Sequence, residues 1–370
     1  MFTAIAVAGK NDSEKRIDRI IRKIFPSLKL GMVYREIRKG RIRVNNTNIE
    51  PDYRIAEGDS IEIHDTLAES VKRDIENLLP AKTRKNDKKT FPTLCAQSIE
   101  TVFENTLFAA VNKPAGLAVH PGSFRGKAGK PGYRGNEPAL SDMIKAKYRG
   151  LSERSISFTP APLHRLDRNT SGIIFFSKSI EGARLFSSLM REGKIKKKYI
   201  ALLDGKLEEK NRWTDYISQN REKGVSGEAD ESSGRRAVTE IRPFISTETH
   251  TLADITIETG RYHQIRKQCA MHGFPLAGDR KYGSSTTLQR RQPQKREQVK
   301  GSNCNTGEES ISYLLHCYSV FIGDQNPGYK LKEKAGFEKI TAPLPDYYLS
   351  KISEIFAKKD VEKLCRMLYS

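Results

Sequence analysis

The sequence predicts an α+β protein in which a small basic domain precedes a larger one. Length argues for two units, because 370 residues exceed the usual span of a single domain. Hydrophobic spacing changes along the chain, from helical stripes near the front to short alternating strands mixed with helices further on. There is no βαβ regularity, and no glycine-rich phosphate loop of the G-x-G-x-x-G or P-loop kind. Nucleotide hydrolysis and dinucleotide redox chemistry lose support accordingly.

Charge points to the partner. Lys and Arg outnumber Asp and Glu by 65 to 45, a formal net charge of +20. A surplus of that size suits a polyanion, nucleic acid first. Apolar residues, at 37%, still suffice for a sizeable core. The stretch from Met1 to Gly9 is apolar but short and lacks a basic leader, so it does not read as a signal peptide. No apolar run is long enough to span a bilayer. The five cysteines, Cys95, Cys269, Cys304, Cys317 and Cys365, are widely spaced and form no C-x-x-C pair. Reduced thiols in a cytoplasmic protein are expected, with neither a disulfide framework nor a zinc site.

At the front, Ile17, Ile20, Ile21 and Ile24 recur at helical spacing, opposite Lys15, Arg16, Arg19, Arg22 and Lys23. Val33 and Ile37 repeat the pattern in a second short helix, which Gly40 can end in a left-handed conformation. Ile42 and Val44 then alternate with Arg41 and Arg43, as in a strand with one buried face. Asn45-Asn46 is a turn signal, and Ile61 and Ile63 alternate again after Gly58-Asp59. This order, with R-K-G-R-I-R-V-N-N followed by E-G-D-S-I-E-I, resembles the S4 RNA-binding domain over roughly Glu14 to Asp65. The resemblance implies that Arg19, Arg22, Arg35, Arg38 and Arg43 meet RNA phosphates.

Domain boundaries follow from composition. Residues 1–65 form the small domain, and 66–99 a basic linker carrying Lys82, Arg84, Lys85, Lys88 and Lys89, on which the small domain is expected to swing. Residues 100–358 form the large domain, and 359–370 a C-terminal tail. Within the large domain, strands are expected at Phe108 to Asn112, at Ile173 to Phe176, around Tyr199 to Leu203 and at Leu252 to Ile257. Ser179 is placed to cap a helix with Leu185, Phe186, Leu189 and Met190 on its apolar face, and Gly193 to close it. A turn at Gly260 leads to a helix from about His263 to Met271. Two segments, Ser123 to Glu137 and Ser284 to Ser310, read as basic surface insertions.

The chemically loaded segment is H-R-L-D-R-N-T-S-G, from His164 to Gly172. Arginines flank Asp167, and nearby guanidinium charge keeps a carboxylate ionised, as a nucleophile or base requires. Taken alone, the segment reads as a salt-bridge loop. Its company changes that. V-N-K-P-A-G-L-A-V-H-P-G begins at Val111, K-K-K-Y-I-A at Lys196, T-G-R-Y-H-Q-I-R at Thr259, G-D-R-K-Y-G at Gly278 and L-H-C at Leu315.

In this order the motifs resemble the RluA-type, ribosomal branch of the RNA pseudouridine synthases. The resemblance implies the pseudouridine synthase fold, with a mainly antiparallel mixed sheet. By position, Asp167 matches the family's catalytic aspartate, Tyr199 the tyrosine that stacks on the base, and Arg266 the basic residue paired with the aspartate. Arg165 matches the side chain that enters the RNA stack beside the flipped nucleotide, and Leu315 a pocket-lining position. Two departures stand out: Lys267-Gln268-Cys269 follows the matched arginine where the family commonly has V-H-L, and Tyr262 stands where Thr is usual.

The implied reaction breaks the C1′–N1 glycosidic bond, turns the uracil and rejoins it through C5, with no cofactor and no metal. Two routes fit Asp167: attack at C1′, in the manner of a retaining glycosidase carboxylate, or removal of the C2′ proton to give a glycal. Ribosomal RNA, of the large subunit first, is the expected substrate, acted on by a monomer with no role for DNA or membrane. Transfer RNA is the alternative substrate. A non-catalytic RNA-binding ribosome-assembly factor is the alternative in kind.

Overall fold

The computed structural model describes residues 1–74, 99–121, 139–153, 155–220, 225–283, 313–323 and 329–369. Both expected basic insertions and most of the expected linker lie outside the described residues.

Seven elements build the N-terminal unit. Strand β1 (Phe2–Val7) is followed by helices α1 (Ile17–Ile24) and α2 (Leu30–Arg38), then strands β2 (Ile42–Val44), β3 (Thr47–Asn48) and β4 (Ser60–His64), and helix α3 (Asp65–Ser70). The sheet runs β1-β4-β2-β3. The isoleucine stripe of α1 is wholly buried against Val33, Ile37, Ile42, Val44, Ile61 and Ile63. Gly40, Asn45 and Asn46 take positive φ, as their turns demand. Strand β1 is a finding that periodicity missed. It pairs antiparallel with β4 at the sheet edge, and none of its residues is buried, so it leaves no alternating pattern to read.

This unit does not hang free on its linker, as a swinging domain would. Asp12, with no exposed surface, accepts hydrogen bonds from the backbone N–H of Ile156 and of Ser157, both at 2.8 Å, and from the Ser155 hydroxyl at 2.9 Å. It also bonds the Ser157 hydroxyl, which Lys15 meets as well. Asn11 accepts from the Ile180 N–H at 3.0 Å, and Ile156 packs on the isoleucine core. Burial alone would raise the Asp12 pKa, but bonds from Ser157, Ile156, Gly9 and Ser155 bring it below its usual 3.8. The carboxylate is therefore charged and fully bonded at neutral pH. Asp12→Ala is expected to cost about 3 kcal/mol of docking, since several donors lose one ionised acceptor. Faster amide exchange at Ile156 and Ser157 is the measurement, and unchanged exchange would refute the role.

The large unit is organised on one ten-stranded sheet. Its strands are β5 (Thr101–Glu104), β6 (Phe108–Lys113), β7 (Ser171–Ser177), β8 (Ile195–Asp204), β9 (Asn211–Asn220), β10 (Val225–Ala229), β11 (Arg235–Ser246), β12 (His250–Ile257), β13 (Leu315–Ile322) and β14 (Lys339–Thr341). The order is β10-β9-β11-β12-β8-β13-β7-β6-β5, with β14 added on β13. Neighbours are antiparallel except β7 and β13, so the sheet is mixed and mainly antiparallel, as expected. Helices α4 (Leu140–Lys147), α5 (Arg149–Glu153), α6 (Ile180–Arg191), α7 (Gln264–Met271), α8 (Tyr329–Ala335), α9 (Asp346–Ser353) and α10 (Lys358–Tyr369) accompany it.

All seven residues of β7 are buried, the signature of a strand covered on both faces. Helix α6 starts at Ser179, whose hydroxyl accepts from the Gly182 N–H at 2.9 Å, and it closes before Gly193 at φ 66°. Phe108, Phe175 and Phe186 meet in tilted and edge-on contacts beneath it. Residues 359–370, set apart by sequence as a tail, fall largely in α10, whose Leu364 and Leu368 are buried with Tyr348 and Ile352 on the other face of the sheet.

Candidate active site

Strand register brings the site together. Cys317 on β13 pairs with Tyr199 of β8 on one side and with Gly172 of β7 on the other. The loop carrying Asp167 leads directly into β7. Asp167, Tyr199 and Leu315 thus meet at one end of three adjacent strands, although they are far apart in sequence. Gly172 makes the crowding possible. Its φ is 108°, and a Cβ there would lie 2.2 Å from the Cys317 carbonyl oxygen.

The cavity at this point has a volume of ≈ 230 Å³ and is lined by Arg165, Asp167, Tyr199, Arg266 and Leu315 among others. All five residues that sequence assigned to the reaction and its pocket lie on it. Among the described lining residues, Asp167 is the one carboxylate. Its side chain is 14% exposed, and an Arg266 guanidinium N–H donates to it at 3.4 Å. Burial raises the Asp167 pKa above the usual 3.8, against the pull of Arg266, Arg165 and Lys113. The site therefore holds a desolvated carboxylate whose charge is compensated but not quenched.

Arg266 is held from elsewhere. Its Nε and a terminal nitrogen donate to the two oxygens of Asp279, at 2.7 and 2.8 Å, a bidentate pair in which Asp279 is wholly buried. The guanidinium also lies 4.4 Å from the Tyr313 ring centre and 5.1 Å from that of Tyr282. Burial opposes its charge, yet the bonds it donates to Asp279 and the field of Tyr313, Asp279 and Asp167 leave its pKa above the ordinary range. Sequence reading paired Arg266 with Asp167. The structure adds Asp279 as the closer partner and makes Asp167 the weaker contact.

Further residues complete the setting. Lys113, wholly buried, donates at 2.9 Å to the carbonyls of Pro114, Leu117 and Arg168, tying the K-P-A-G turn to the aspartate loop. Burial pulls Lys113 down to about 7, in part offset by Asp167. His263 caps α7 in a left-handed conformation, hydrogen-bonds Tyr282 at 2.8 Å and places Nε2 3.6 Å from Asp167. Burial and the neighbouring Arg266, Lys281 and Arg165 lower it to about 3, so it is neutral at physiological pH. His164, lowered by burial to about 3, accepts from the Phe175 N–H and serves structure. Burial and Cys317 hold the Tyr199 hydroxyl protonated, well above its usual range.

Asp279 and Tyr282 sat unassigned within a quoted motif, and Tyr313 lies just ahead of Leu315. Their chemistry is invisible until α7 packs over them. Arg165 is exposed, its guanidinium 4.8 Å from the centre of the Tyr262 ring. Tyr262, the residue that departs from the usual Thr, stacks on His263 at 3.8 Å. The arginines of the N-terminal unit lie elsewhere. Arg19, Arg22, Arg35 and Arg38 are exposed on α1 and α2, whereas Arg43 stacks on Phe2 at 4.0 Å and donates to Asn48.

Residues 108–271 match the profile of the RNA pseudouridylate synthase family. That stretch holds the aspartate loop, the tyrosine strand and the arginine helix. Over those residues the chain is similar to that family. Its relatives include the ribosomal large subunit pseudouridine synthase C of Buchnera aphidicola subsp. Schizaphis graminum, 29% identical over 357 residues, or 94% of this chain and 96% of the relative. The protein of the same name from Escherichia coli strain K12 is 29% identical over 292 residues, 75% of this chain and 79% of its own. Among solved structures, human RNA pseudouridylate synthase domain containing 4 superposes with a TM-score of 0.51 at 19% identity, covering 71% of this chain and 96% of its own. That likeness shows the pseudouridylate synthase fold. Among the described residues, no helix is long and apolar enough to cross a membrane.

Proposed function

We propose that this protein isomerises specific uridines of large-subunit ribosomal RNA to pseudouridine, acting in the cytoplasm as a monomer. The observation that carries the reading is a lone buried carboxylate, Asp167, charge-compensated by a fixed arginine and walled by Tyr199. Hydrolysis of a glycoside normally needs a second carboxyl group across the bond, and Asp279, the acid nearby among the described residues, is occupied by Arg266.

Arg19, Arg22, Arg35 and Arg38 supply phosphate contacts in this reading and Arg165 fills the stack, which offsets the few kcal/mol, roughly, that flipping a base costs. Tyr199 stacks on the flipped uracil. Asp167 then attacks C1′ or takes the C2′ proton, with Arg266 balancing charge. Both routes need the carboxylate ionised.

The raised Asp167 pKa gives this a sign. As pH falls the carboxylate is protonated early, so the acid limb of single-turnover activity is expected above pH 3.8. Arg266→Gln, which removes the compensating charge, is expected to move that limb higher. A limb at or below 3.8 in the wild type would contradict the site's electrostatics.

Carbodiimide mapping of pseudouridine in ribosomal and transfer RNA from cells lacking the protein tests the function. Sites in large-subunit RNA that vanish and return on complementation are the expected result. An unchanged map would leave the ribosome-assembly reading in its place, and loss confined to transfer RNA would reassign the substrate.

A further inference from the structure

Two buried lysines belong to the site, Lys113 acting on the charge of Asp167 and Lys197 lining the same cavity, and they are treated differently. Lys113 has three carbonyl acceptors, enough for all its ammonium protons. Lys197 is 5% exposed and lines the reaction cavity, and its ammonium makes no hydrogen bond or ion pair with any described residue. It shares a strand face with Tyr199, two residues on, so both side chains point to the same side of β8. A Cβ on Gly260 would lie 3.5 Å from its Nζ, which places the ammonium beside Gly260, itself on the cavity wall. The titratable groups around it are no counter-ions. His164 is neutral, and burial pushes the Cys317 thiol up to about 12. A buried ammonium with no partner among the described residues is costly, and a ligand of opposite charge offsets that cost.

The reaction supplies such a charge. When C1′–N1 breaks, its electron pair stays on N1, and the detached uracil is an anion delocalised over its ring oxygens. It then bonds C1′ through C5, C5 gives up its proton, and N1 takes one up. We infer that Lys197 is a catalytic residue whose ammonium binds the detached uracil anion through a carbonyl oxygen, stabilising it while it turns. The inference rests on the proposed reaction. Burial lowers the Lys197 pKa, and an anion arriving beside it works the other way. Stabilisation is then strongest at the moment charge develops, the condition for accelerating the chemical step.

The test uses the full chain and a large-subunit ribosomal RNA transcript carrying [5-³H]uridine, with tritium release followed in single turnover. Lys197→Met is expected to lower the rate about 100-fold, the scale for losing one preorganised charge-stabilising donor. RNA affinity should be unchanged and the melting temperature equal or higher, because an unpaired buried charge has been removed. Lys197→Arg, which keeps the cation, should retain more activity than the Met variant. A Met variant as fast as wild type, or one slowed only through weaker binding or a lower melting temperature, would overturn the inference. So would an Arg variant as slow as the Met variant. A silent wild type would instead sink the proposed reaction, and the inference with it.

Discussion

Asp167→Asn is expected to abolish pseudouridine formation while leaving the fold and RNA binding close to wild type. The amide can neither attack C1′ nor take a proton from C2′. Losses on removing a nucleophile or its essential base are large, about 10⁴-fold or more. Structure predicts little damage to stability. Burial already disfavours the Asp167 carboxylate, and Arg266 keeps its bidentate partner Asp279 when Asp167 is neutralised. The Asn variant should therefore melt at or slightly above the wild-type temperature. Tritium release from [5-³H]uridine RNA, alongside a binding isotherm, separates the two effects. Residual turnover within tenfold of wild type would remove Asp167 from the chemistry.

Arg266→Leu is expected to damage stability and activity together. It leaves Asp279 as a buried, uncompensated charge, and breaking a buried pair costs about 3–5 kcal/mol. It also withdraws the cation lying 4.4 Å from the Tyr313 ring centre and the compensating charge on Asp167. The double variant Arg266→Leu/Asp279→Leu should regain most of the lost stability, because apolar replacements for a buried pair are often neutral. Activity should not return. Denaturant unfolding of both variants and the wild type measures the coupling directly. If the double variant were as unstable as the single one, the pair would not be the source of the loss.

Much of the site was legible before any coordinates. The apolar stripe of α1, the left-handed turns at Gly40, Asn45 and Asn46, and the Ser179 cap are local matters of period and backbone freedom. Period and cap are set by neighbours in sequence, so a string of letters carries them. The aspartate loop was legible for another reason. Alone it read as a salt-bridge loop, and only the order of the other motifs around it gave it the resemblance that marked Asp167.

By itself, then, the sequence determined the class of fold and the basic character of the N-terminal unit, and through its motifs it pointed to Asp167, Tyr199, Arg266, Arg165 and Leu315 as one site. Tertiary structure alone decided what restrains them. That Arg266 answers first to Asp279, that Lys113 staples two loops while the Lys197 ammonium finds no partner among the described residues, and that Asp12 docks the front unit rather than letting it swing are all long-range facts. Strand β1 and the packed helix α10 belong with them, since an edge strand and a terminal helix gain their order from a partner surface. Ion pairs and buried polar contacts depend on distance and desolvation, quantities that exist only once strands β7, β13 and β8 lie side by side.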